Sequence, residues 1–156
     1  MKLRELLEKW SMTSLRINLK FLEAEFNPKD DDRYAAWELY VEMLTRITTQ
    51  PLDNKHGNEK TALDSVFSLF PTTREILKKY RDCTEFSKIA IVVLNQVVRP
   101  FTAKWHKLSL ENCFSKPKQC KIFRKELADL QIELRKYTKI LADMAQVEDL
   151  TDLETT

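Results

Sequence analysis

The chain has 156 residues, with 26 basic and 24 acidic side chains, a net charge of +2 and a single glycine, Gly57. That length suits one domain around one hydrophobic core, and the near balance of charge makes no global case for nucleic acid. The lone glycine excludes glycine-rich phosphate loops and nucleophile elbows, and it disfavours a fold of tight hairpins, because all of these need residues that tolerate positive φ.

The longest unbroken apolar run, Ile89 to Leu94, is far shorter than the roughly 18 to 20 residues of a membrane span. Met1 to Trp10 alternates charge and leucine without the apolar core of a signal peptide. Cys83, Cys113 and Cys120 are odd in number and loosely spaced, a pattern of reducing compartments. These features predict a cytoplasmic protein that does not span a membrane.

In chain order, Leu3, Leu6, Leu7 and Trp10 have helical spacing. Leu15, Ile17, Leu19 and Phe21 alternate as in a strand, while Leu15, Leu19, Leu22 and Phe26 satisfy a helix. We read residues 12–26 as helix, since a lone strand would leave its ladder groups unpaired. Asn27 to Asp32 breaks the chain and offers carboxylates to the next helix N-terminus. That helix runs to about Thr48, with Tyr34, Trp37, Val41, Leu44 and Ile47 on its inward face, widened by Ala35, Leu39, Tyr40 and Met43; Glu38 and Glu42 fall on an exposed face.

After the polar loop from Pro51 to Asn58, Leu63, Val66, Phe67 and Phe70 share a side before Pro71 interrupts. The spacing Thr72-Thr73-Arg74-Glu75 predicts a fresh helix start, with Ile76, Leu77 and Tyr80 inward. A central helix over about 84–106 is apolar nearly all round, with Pro100 predicted to kink it near Gln96. Beyond a loop, a final helix over about 117–145 carries the heptad stripe Phe123, Leu127, Leu130, Leu134, Tyr137, Leu141 and Met144. We assign this stripe to the core, as cover for the 84–106 helix. The fold expected is all-α, an antiparallel bundle of four to six helices over 1–145, with an acidic tail at 146–156.

Chemistry-bearing clusters are sparse. His106, Cys113 and Cys120 form H-x6-C-x6-C with Cys83 in reserve, but they lack the close cysteine pair of a zinc site, and no metal or cofactor is predicted. Asp30, Asp31 and Asp32 are explained by capping, and no triad is present. The densest run is Arg99-Pro100-Phe101-Thr102-Ala103-Lys104-Trp105-His106. It resembles the R-x4-6-H signature of HEPN domains, small helical bundles of which many are ribonucleases or toxins in bacterial conflict systems. The resemblance implies that His106 acts as base or acid on a ribose 2′-hydroxyl, that Arg99 steadies the scissile phosphate, and that the site is composite across a dimer. Pro100 stands where active members usually have a polar residue. The plainer reading has Trp105 anchoring the helix end, His106 serving its terminal carbonyls, and Arg99 and Lys104 at the surface. More diffusely, Trp37 to Met144 resembles stand-alone helical modules of bacterial antiviral and signalling systems.

From Arg99 to Lys125 eight basic residues face one acid, Glu111. The functional expectation is therefore a non-enzymatic protein-interaction module, an accessory or regulatory subunit of a bacterial defence system. Lys104, Lys107, Lys118, Lys121, Arg124 and Lys125 would be its partner contacts, and the acidic tail a second docking element. Ribonuclease chemistry at Arg99 and His106 is the alternative, with nucleic-acid binding and a homodimer as further partner options.

Overall fold

The computed structural model describes residues 1–154, which form an all-helical bundle without strands among them. Two short helices come first, α1 (Leu3–Lys9) and α2 (Leu19–Glu23). Six longer ones follow: α3 (Asp30–Leu44), α4 (Glu59–Phe67), α5 (Leu69–Lys79), α6 (Thr84–Val93), α7 (Arg99–Ser109) and α8 (Pro117–Ala145). A π-helical segment, Leu94–Val98, joins α6 to α7, and a 3-10 turn, Cys113–Ser115, leads into α8. No helix among the described residues is long and apolar enough to cross a membrane.

The helix α8 has the expected bounds, and every member of its heptad stripe is buried. Its principal partner is α3 rather than the central helix that the stripe was expected to cover. Alanines make the close approach of α3 feasible: Ala35 and Ala36 are fully buried beside Leu39, Tyr40 and Met43. At the α7 end, Trp105 is fully buried, stacked on Phe114 with ring centroids 6.0 Å apart and edge-on to Phe123 at 5.1 Å.

The acidic run in the first turn of α3 caps two helices. Asp32 is fully buried; its carboxylate accepts the Lys29 amide at 2.8 Å and, across the bundle, the Phe86 amide at 2.9 Å in the first turn of α6. Asp31 accepts the Asp82 amide at 3.1 Å, and Glu85 that of Asn27 at 2.7 Å. The entry to α6 is thus tied to the entry to α3 through carboxylate acceptors.

Prolines mark two boundaries, the first differently from expectation. Pro71 sits inside the first turn of α5, where a missing N–H costs nothing, so the break falls at Ser68 and Thr72 to Glu75 continues an existing helix. Pro100 likewise occupies the first turn of α7. It deprives the Gln96 carbonyl of its donor, and the preceding residues widen into the π segment at the place where a kink was expected.

Residues 12–18 are not helical. Their backbone finds a partner that is neither helix nor strand: the Gln96 side chain accepts the Arg16 amide at 2.8 Å and donates to the Arg16 carbonyl at 2.7 Å. Leu15 and Phe26 are buried as expected, but Leu19 is 67% exposed. The long loop after α3 is fastened to α8, where Arg124 donates to the carbonyls of Asp53 and Gly57, and Gln131 to those of Ile47 and Gln50. Gly57 packs so tightly here that a Cβ would lie 2.3 Å from the Asp53 carbonyl oxygen.

The tail also joins the bundle. Over residues 147–154 it runs back along α3 and α8, with Thr151 only 4% exposed. Arg135 donates to the Thr151 carbonyl at 2.7 Å, and the Asp152 carboxylate accepts from both Arg135 and Lys139 at 2.7 Å. The acidic tail expected at 146–156 is thus held to α8 over its described residues, because the half-buried Arg135 and Lys139 meet Asp152.

Candidate functional site: an exposed apolar ridge on α3

The inward face of α3 is narrower than expected: its widening residues are buried as expected, but part of the expected inward stripe turns outward. Tyr34, Trp37 and Val41, expected inside, are 56%, 47% and 41% exposed, and the core is formed by Ala35, Leu39, Tyr40 and Met43. Leu44 and Ile47 are half-buried. Apolar residues surround α3 so evenly that periodicity states a helix without stating which way it faces. The small Ala35 and Ala36 decide the direction, because only their side admits another helix closely.

The result is a ridge at helical spacing, Tyr34, Trp37 and Val41, with a depression on each side. Between α3 and α5 lies a groove of about 430 Å³, lined by Trp37, Val41 and Ile76 together with Glu38, Glu42, Glu75 and Lys79. Between α3 and the returning tail lies one of about 400 Å³, lined by Trp37, Tyr40, Val41 and Leu44, with Val147, Glu148 and Leu150 opposite. Trp37 is backed by Tyr40 at 5.9 Å, and Tyr34 by Tyr80 at 6.1 Å, so the ridge rests on a rigid aromatic base.

The rim is acidic. Glu38 is engaged by Lys79 and by the Tyr80 hydroxyl at 2.6 Å. Burial works to raise its carboxyl, but those two hydrogen bonds prevail and hold it below the ordinary carboxylate range. Glu42 pairs with Arg46 at 2.6 Å. Glu75 in the first groove and Glu148 in the second are exposed, and neither side chain has a partner among the described residues.

The basic residues between Lys104 and Lys125 are partly consumed by the fold. Lys104 bridges to Glu126 on α8 at 2.6 Å, Arg124 holds the 53–59 loop and Glu59, and Lys125 lies 3.4 Å from Asp129. Lys107, Lys118 and Lys121 make no such contact among the described residues.

Arg99 and His106 lie two turns apart on α7, roughly 10 Å along the helix axis. The Arg99 guanidinium donates to Asn95 at 3.1 Å and lies 4.7 Å over the Phe70 ring. The His106 ring meets the Phe67 edge at 5.0 Å and approaches Asp64 at 4.0 Å. The two side chains therefore have separate partners, with the Phe67–Phe70 pair alongside them. Nor do His106 and the cysteines converge: Cys120 donates to the Phe114 carbonyl at 3.2 Å, and Cys83 and Cys113 are buried, which raises both thiols. No group of three or more potential metal ligands occurs among the described residues.

No protein-family model, curated protein or solved structure matches the chain.

Proposed function

We propose that the chain is a non-enzymatic protein-interaction module that docks its partner on the α3 ridge. The observation that carries this reading is the outward placement of Trp37 between two grooves. Large aromatics in half-open apolar depressions are the typical anchors of protein interfaces, and a contiguous apolar surface of this kind is costly to leave in water. Lys107, Lys118 and Lys121 are a secondary surface in this reading, since their neighbours in sequence are held by internal acids.

A photo-crosslinking residue at position 37, compared with one at position 121, tests the placement in cells that make the protein. Adducts of defined mass from position 37, lost when Val41→Glu is added, support it. Adducts only from position 121 would move the interface to the basic surface, and none from either would remove the interaction reading.

A further inference from the structure

We infer that the occupant of the α3 ridge is a basic amphipathic helix contributed by another protein; this rests on the docking role just proposed and specifies its partner. Two features of the site lead to it. Tyr34, Trp37 and Val41 follow one another at three- and four-residue steps, the repeat of a helix–helix seam, and a second helix is the element that lays an apolar stripe along such a seam. Its flanks would pass over the two grooves, where a Glu without an internal partner stands on each side, Glu75 on α5 and Glu148 on the tail.

Charge then selects among occupants. An acid on both sides of an apolar seam favours lysine or arginine on both flanks of the incoming helix. A second copy of this chain placed by a two-fold axis would set the same acids against themselves, because such an interface joins identical patches. Nucleic acid and anionic lipid surfaces meet the same repulsion. Glu38 and Glu42 are offset by Lys79 and Arg46, so Glu75 and Glu148 are the carboxylates free to engage a partner's cations.

The test uses two synthetic 18-residue helical peptides with one leucine stripe, flanked by lysine in one and by glutamate in the other. Each is titrated into the full-length isotopically labelled protein, with amide shifts as the readout. The lysine peptide is expected to shift resonances of α3, α5 and residues 147–150, to bind at least about tenfold more tightly than its glutamate counterpart, and to weaken with added salt. The doubly reversed protein, Glu75→Lys with Glu148→Lys, should exchange that preference.

Equal binding of the two peptides at the ridge overturns the charge assignment and leaves the docking role standing. Failure of both peptides, with a concentration-dependent dimer that Trp37→Glu abolishes, assigns the ridge to a second copy and overturns the partner. Failure of both with a monomer at all concentrations overturns the inference and the docking role together.

Discussion

The Tyr40 hydroxyl joins α3 to the chain's returning tail: it accepts the Leu150 amide at 2.6 Å and donates to the Glu148 carbonyl at 3.2 Å. One side chain on the underside of the ridge thus positions one wall of the second groove. Burial raises this hydroxyl above its ordinary value, so it remains a donor across the physiological range. Tyr40→Phe should release the tail at a cost of about 1 kcal/mol, the scale of a net hydrogen bond. Hydrogen exchange at residues 147–151 should accelerate while α8 remains protected, and unchanged exchange there would show that Arg135 and Lys139 hold the tail unaided.

Asp32 is a stability determinant because two backbone amides from different helices depend on one fully buried carboxylate. Asp32→Ala strands both donors and should cost about 2–4 kcal/mol. The denaturant midpoint should fall without a change of slope, whereas Asp30→Ala, which removes only an exposed pairing with Arg33, should stay within about 0.5 kcal/mol of the parent.

Tyr137 presents the opposite case. Its ring belongs to the α8 stripe, but its hydroxyl is buried with no partner, and burial pushes its pKa strongly upward. Tyr137→Phe keeps the ring and removes the stranded group, so we expect a gain of about 1 kcal/mol. Leu134→Ala, one turn earlier and fully buried, should instead cost about 2–5 kcal/mol. Thermal unfolding of the two variants should shift in opposite directions.

Acid sensitivity should include the first segment of the chain. Glu23 accepts from Arg4 at 2.7 Å and from Lys2 at 3.0 Å, and these hydrogen bonds hold its carboxyl at about 2, against an ordinary value of 4.5. A carboxyl lowered on folding contributes stability that is fully present above about pH 4.5 and disappears as pH falls towards 2. A carbon-detected titration of Glu23 should show the low midpoint, and Arg4→Ala should move it back up. A midpoint near 4.5 in the parent protein would mean that the pairing contributes nothing in solution.

Much of the architecture was legible before any coordinates. The bounds and buried stripe of α8 follow from a repeat of apolar residues that one helix face can satisfy. The irregularity before Pro100 follows from a missing donor, and the capping role of the acidic run that opens α3 from the needs of a helix N-terminus. The candidate site was less legible, although a signal existed. Glu38 and Glu42 fall on the same helical arc as Tyr34 and Val41, but apolar residues all round α3 outweigh that hint, so the sequence singles out no face. The basic segment misled in the other direction, since Glu126, Glu59 and Asp129 lie outside the window in which its charge was counted or on another element.

By itself, then, the sequence determined that this chain is helical, where its longest helix begins and ends, and which residues of that helix are buried, because these depend on spacing and capping within one segment. Tertiary structure alone decided which way α3 faces, that α3 rather than the central helix covers the α8 stripe, and that Gln96 supplies the hydrogen bonds of Arg16. Each of those outcomes depends on partners distant in sequence. An evenly apolar helix such as α3 acquires a direction only when small residues such as Ala35 and Ala36 meet a neighbour close enough to use them.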